Sequence, residues 1–231
     1  MEPDMLLFWN YFVLSFSALL PLINPLGSAL IFLTLVGQAP IPLYHSLARR
    51  IAVNTVLFLI AIDLLGSALL RFFGISLPIV QVAGGLVISA IAWSMLNQET
   101  DAHSPEKMQA TTQIQPGDLA SDLRQKVFYP FTFPITAGPG TVVVMLTLAA
   151  HTPQRPIHDN LIAHAGLLAA ILVLCLSVYF CYAHAHRIAN TISPSTVHGI
   201  LRIIAFILLC IGVQIAWNGL QPLLQSILHP G

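Results

Sequence analysis

The sequence predicts an all-α membrane protein of six transmembrane helices, arranged as two inverted-topology three-helix repeats with broken helices 1 and 4. Three observations predict this. Hydrophobic residues make up 56% of the chain and charged residues 8%, where an average soluble domain is about 25% charged. The apolar residues gather into six runs, each near or above the roughly 20 residues a spanning helix needs. A pattern of helix breakers also occurs twice. Pro21-Leu-Ile-Asn-Pro-Leu-Gly27-Ser28, followed by Thr34-Leu35, returns at one constant offset as Pro134-Ile-Thr-Ala-Gly-Pro-Gly140-Thr141, followed by Thr147-Leu148.

The first run, Leu6–Gly37, has 32 residues. As one straight helix it would be about 48 Å long, against a hydrocarbon core of roughly 30 Å. A break around Pro21–Gly27 resolves the excess and leaves about 16 Å of helix from Gly27 to Gly37, half a membrane. Glu2 and Asp4 precede the run without a basic residue. It is also too long for a signal-peptide core, so it is expected to be retained. The second run, Ile51–Phe72, carries Asp63 well inside it. Asp63 lies about 21 Å along the axis from Arg49 and about 12 Å from Arg71, in the outer part of the core. A carboxylate at that depth is costly unless paired or hydrated. It is a candidate for the coupling proton or for attracting a substrate amine; the structural alternative is a carboxyl protonated or bonded to a neighbouring helix. The third run, Leu77–Leu96, holds Gly84-Gly85, expected to let another helix approach closely.

The polar stretch Asn97–Lys126 contains Pro105, Pro116, Gly117 and most of the acidic residues. It reads as an irregular connection with a short surface helix near Leu119–Val127. It divides one membrane domain into a first repeat (1–96), a cytoplasmic linker (97–127) and a second repeat (128–231). The fourth run, Phe128–Ala150, carries the second break, after which Gly140–Ala150 is again about 16 Å of helix. Leu161–Tyr182 and Gly199–Leu224 complete the set, and no soluble domain is expected after them. Each half holds an odd number of spans, so the second enters from the opposite side and the repeated pattern implies an inverted repeat.

Basic residues orient the chain. With the N-terminus outside, inner loops hold Arg49, Arg50, Lys107, Arg124, Lys126, Arg187 and Arg202, and outer loops hold Arg71 and Arg155. This bias places both termini on the extracytoplasmic side, in the periplasm or at the cell exterior.

The breaks are candidate binding elements. Proline removes an amide donor, and glycine permits angles that other residues resist. Together they expose amides at a new helix start, with the partial positive charge of the helix dipole. Irregular backbone at membrane depth must be buried in protein or line a wet cavity. Ser28 and Thr141 sit where they can cap the starts or donate a hydrogen bond. Asn24, Pro25, Gly27 and Ser28 on one side, with Thr136, Gly138, Gly140 and Thr141 on the other, form a candidate cradle for a small zwitterion, its carboxylate on the helix starts. The alternative is a pair of simple kinks that aid packing.

Asn54, Gln81, Gln214 and Asn218 lie in spanning runs and are expected to bond across helices. His164 reads as a satisfied interfacial histidine rather than a proton relay. His184 and His186 are two apart and do not share a helix face, so they make no metal pair. Cys175, Cys181 and Cys210 lack a CxxC spacing and read as buried apolar thiols. Nine basic and nine acidic residues cancel, which suggests no nucleic-acid partner. No cofactor or metal is expected. No Walker motif, GxSxG or HExxH is present, so neither ATP hydrolysis nor an intramembrane enzyme is indicated.

The segments Asn24-Pro-Leu-Gly27, Ile75-Ser-Leu-Pro78 to Ala83-Gly84-Gly85, Thr136-Ala-Gly-Pro-Gly140-Thr141 and Gly212-Val-Gln214 through Asn218-Gly219 together resemble the MarC family of bacterial and archaeal integral membrane proteins. Gln81 stands where that pattern leads one to expect Arg. The family's relation to LysE-type amino-acid exporters implies a secondary transporter or exporter of small solutes, with neutral amino acids as the substrate class. Expected partners are the lipid bilayer, a small-molecule substrate, H+ or Na+ as coupling ion, and further copies of the chain in a homo-oligomer. A channel and a non-transporting membrane subunit are the alternatives.

Overall fold

A computed structural model describes residues 3–37, 39–97, 123–150, 157–191 and 194–228, and the described residues contain helices and no strand. In chain order the helices are α1 (Pro3–Ile23), α2 (Pro25–Val36), α3 (Ile41–Phe72), α4 (Leu77–Asn97), α5 (Val127–Thr136), α6 (Pro139–Ala150), α7 (Ile157–Ala183), α8 (Ala185–Thr191) and α9 (Pro194–Leu228). Five stretches are long and apolar enough to cross a membrane: α1 with α2, α3, α4, α7, and residues 199–225 of α9. The pair α5 and α6, bent by 71°, makes a sixth if it counts as one span. The apolar runs of the sequence thus reappear as helices. Most of the expected linker, including 119–122 of its surface helix, lies outside the described residues.

The two breaks are unequal. α1 and α2 continue as one 33-residue apolar stretch, whereas α5 turns sharply into α6. A second difference concerns α3, which starts at Ile41 instead of Ile51. Pro40 is extended and Pro42 lies in the first turn, where a missing amide costs nothing. Arg49 and Arg50 are therefore exposed helix residues, not loop residues. The helix is about 48 Å long, so its first turns project beyond a 30 Å core.

Packing fixes the helix directions. Asp4 lies 3.8 Å from His158, and the backbone of Phe8 and Phe12 approaches Gly166, so α1 and α7 run parallel. The His45 ring is 5.5 Å from that of His184, and Asp63 meets His164, so α3 runs antiparallel to α7. α4 and α9 are antiparallel and nearly touch backbone to backbone. A Cβ on Gly85 would come within 2.5 Å of the Gly212 carbonyl oxygen, and one on Gly219 within 2.5 Å of that of Pro78. Gly84 faces elsewhere, against Val143 of α6.

The core runs through Ile23, Phe32, Phe131, Met145, Ile171 and Tyr182, all buried, while Leu14, Leu57, Leu64, Leu172 and Phe206 point outward. Such an apolar exterior suits a lipid environment. Trp9, Trp93 and Trp217 are also exposed. Of the three free thiols only Cys175 is buried; Cys181 is half-buried and Cys210 is exposed, because it lies on an outward face of α9.

Candidate functional site

The first break is made by Asn24. Its backbone is left-handed, φ 43° and ψ 70°, a conformation that Asn tolerates better than most side chains. Its Oδ1 accepts the Gly27 amide at 3.1 Å, and its carbonyl accepts both the Ser28 amide at 2.9 Å and the Ser28 hydroxyl at 2.8 Å. Asn24 is therefore the cap of α2, and Ser28, expected as a capping candidate, instead donates back to the Asn24 carbonyl. Pro25 opens the helix without needing an acceptor. A Cβ on Gly27 would run into the Asn24 side-chain amide and come 3.0 Å from Leu201 Cδ2.

The second break is built differently. In α5 the bonds reach back five residues: the Phe131 amide to the Lys126 carbonyl at 3.3 Å, and the Ala137 amide to that of Thr132 at 2.9 Å. Pro130 and Pro134 each remove an amide from the regular ladder, and both follow cis peptide bonds. The threonine hydroxyls fill in, Thr132 donating to the Val127 carbonyl at 2.9 Å and Thr136 to that of Phe131 at 2.7 Å. α6 then begins with its first intrahelical bond from the Val142 amide to the Gly138 carbonyl, 3.2 Å. The amides of Gly140 and Thr141 precede that bond. Thr141 is buried, and its hydroxyl has no hydrogen-bond partner among the described residues. Among the described residues, Thr141 therefore does not cap α6 as Asn24 caps α2.

The two breaks meet at Tyr182 of α7. Its hydroxyl lies 2.8 Å from Thr136 Oγ1, and its ring packs on Phe32 of α2, one turn from Ser28. Thr136 already donates to the Phe131 carbonyl, which leaves the Tyr182 hydroxyl to donate to it. One helical turn from Ser28, the Phe32 ring stacks on Tyr182 at 4.6 Å and meets Phe131 and Tyr44 edge-on at 5.4 and 5.9 Å. Beyond Tyr44, at the far end of α2, lies a cavity of about 690 Å³ lined by Leu33, Gly37, Ala39, Pro40, Ile41, Tyr44 and His186. The Tyr44 hydroxyl is bonded to the Gly37 carbonyl. Phe32 and Tyr44 therefore stand between this cavity and the buried hydroxyl cluster.

The structure brings Ser28 and Thr136 together, with Asn24, Pro25 and Gly27 beside them. Gly140 does not face Gly27 across an open space. A Cβ there would come 2.8 Å from Ile88 Cγ1 and 2.9 Å from Leu22 Cδ2, so apolar packing closes around it. Asp63 lies apart, with Oδ2 2.9 Å from His164 Nδ1. Gln81 is buried beside Gly219. Gln214 and Asn218 bond to each other at 2.8 Å along α9 rather than across helices, because residues four apart share a helix face. Tyr182, Phe32, Tyr44 and the pairing of His164 were not singled out from sequence. The only local hint was a run of aromatic and polar residues, Tyr179 to His186, closing the fifth apolar run.

The model of the MarC family, integral membrane proteins, matches residues 9–224. Among curated relatives, a UPF0056 inner membrane protein MarC from Salmonella paratyphi B is 27% identical over 212 residues, covering 90% of this chain and 93% of the relative. A UPF0056 membrane protein of Methanocaldococcus jannaschii is 27% identical over 214 residues, covering 92% and 97%. A protein of Citrobacter koseri, also named UPF0056 inner membrane protein MarC, is 27% identical over 212 residues, covering 90% and 93%. No solved structure matches the chain significantly.

Proposed function

This chain belongs to the MarC family of integral membrane proteins, and on that premise we propose that it is a secondary transporter or exporter of small solutes, first among them neutral amino acids. It sits as a multi-pass protein in the inner membrane, with both termini outside. The observation that carries this reading is the convergence of two helix breaks on Tyr182, next to a helix start where the buried Thr141 hydroxyl has no hydrogen-bond partner among the described residues. The amides at the start of α6 suit a carboxylate. The hydroxyls and carbonyls of Asn24, Ser28 and Thr136 suit an ammonium. The cluster contains no charged side chain, which fits a substrate without net charge.

An inverted repeat around this cluster is supported by the pattern of packing. α3 packs on α7 and α4 on α9, each pairing a helix with its counterpart in the other half. The contact of α1 with α7 has its mirror in the contact of α3 with α5 and α6. In this conformation the cluster is closed, and rocking of the halves would open it alternately to either side. Withdrawal of Phe32 and Tyr44 would join it to the cavity at the end of α2.

Counterflow of radiolabelled amino acids in proteoliposomes tests the reading. Saturable exchange is expected with the wild type. Gly27→Leu and Gly140→Leu are expected to abolish it, because the new side chains would overlap Asn24 and Leu201, or Ile88 and Leu22. Gly199→Leu is the control, since a Cβ there meets nothing within 4 Å. Flux that never saturates would instead indicate a channel.

A further inference from the structure

The hydroxyl cluster makes no use of Asp63. This carboxylate is 2% exposed, and its Oδ2 lies 2.9 Å from Nδ1 of His164, which is 29% exposed. Its Oδ1 is buried with no hydrogen-bond partner among the described residues. The pair thus has a fully buried end and a partly exposed one. It also has a defined depth. Asp63 stands about 27 Å along α3 from His45, nearly the thickness of the hydrocarbon core. His45 meets His184 near the opposite end of α7, so the Asp63–His164 pair lies toward the face that also carries Asp4 and His158.

Among the described residues, the surroundings supply no competing charge. Of the helices packed against α3, α6 carries no titratable side chain and α5 only the exposed Tyr129. On α7, besides His164, His158 and Asp159 lie at the start of the helix, roughly 8–9 Å further along the axis, where they pair with each other and His158 also with Asp4. On α3 itself the nearest charge is Arg71, about 12 Å away.

Two groups so placed hold one proton without net charge, as carboxylate with imidazolium or as acid with imidazole. Removing it leaves a single negative charge in an apolar setting and Oδ1 unsolvated, which is costly until water arrives. The contact joins the middle helix of one half to the middle helix of the other. Movement of the halves therefore decides when water reaches it. We propose that Asp63 and His164 together form a proton-binding site between the two halves, and that release of this proton to outside water on opening is what couples solute movement to a pH gradient. The coupling rests on the transporter reading given above; the proton binding does not.

Infrared difference spectra of the purified protein in lipid, taken across a pH series, read the site without transport. A carboxylic-acid carbonyl band that titrates is expected. It should vanish in Asp63→Asn and shift its midpoint by about one pH unit or more in His164→Gln. In proteoliposomes, Asp63→Asn is expected to keep counterflow within about twofold of wild type while losing accumulation driven by a pH gradient. If Asp63→Asn does not fold, Asp63→Glu should keep the band with a displaced midpoint. No titrating band lost in Asp63→Asn, and none displaced in Asp63→Glu, would overturn the site. Accumulation that persists in Asp63→Asn, or that follows only a sodium gradient, would overturn the coupling. A wild type that moves no amino acid under any gradient would sink the transporter reading and the coupling with it, and the infrared band would still decide whether the pair binds the proton.

Discussion

Thr136 and Tyr182 meet through their hydroxyls at 2.8 Å although 46 residues separate them. This contact ties the sharp bend between α5 and α6 to the C-terminal end of α7. Because the Tyr182 ring also stacks on Phe32 of α2 at 4.6 Å, one side chain touches both broken segments.

Tyr182→Phe keeps the stacking on Phe32 and removes only the hydroxyl contact with Thr136. Ser28 and Thr136 retain their bonds to the carbonyls of Asn24 and Phe131. The expected stability loss is therefore about 1 kcal/mol, that of a single neutral hydrogen bond. Solute affinity in counterflow is expected to fall about tenfold, the equivalent of roughly 1.4 kcal/mol. An unchanged half-saturation concentration would remove Tyr182 from the site.

Thr141→Val separates binding from folding by sign. The buried Thr141 hydroxyl has no partner, and an unsatisfied buried polar group costs about 1–3 kcal/mol. Replacing it with an isosteric methyl is expected to raise the melting temperature in detergent and weaken solute binding at once. Lower stability with unchanged binding would mean that the hydroxyl serves the fold alone.

At Asn24 the backbone conformation and the cap can be told apart. Asn24→Gly keeps easy access to positive φ and loses the bond to the Gly27 amide, at an expected cost of a few tenths of a kcal/mol. Asn24→Ala loses the cap and also pays for the left-handed conformation, together about 2–3 kcal/mol. Thermal melts of the two variants should rank Gly well above Ala; equal melting temperatures would contradict this account of the break.

Topology is read by cysteine labelling in a background free of Cys175, Cys181 and Cys210. Gly231→Cys is expected to react with an impermeant maleimide added from outside, and Ala110→Cys only after permeabilisation. The reverse pattern would invert the orientation drawn from the basic residues.

Much of the architecture was legible because its signals are local. A run of apolar residues long enough to span a bilayer declares itself whatever it packs against. Pro25, Pro130 and Pro134 interrupt regular bonding by their own covalent structure. The N-terminal reach of α3 was misjudged for the same reason: Arg49 and Arg50 look like loop residues when hydropathy alone sets the boundary, yet a helix can outrun the membrane.

The apolar runs, the two breaks and the family were thus determined by the sequence itself. Only the tertiary structure decided that the first break is capped and nearly continuous while the second is sharply bent, that Tyr182 joins them, and that Asp63 finds His164 at a separation of 101 residues. The physical reason is that such contacts depend on how each helix is rotated about its axis and on which neighbour it meets. Spans that are apolar on nearly all sides carry almost no hydrophobic asymmetry from which that rotation could be read.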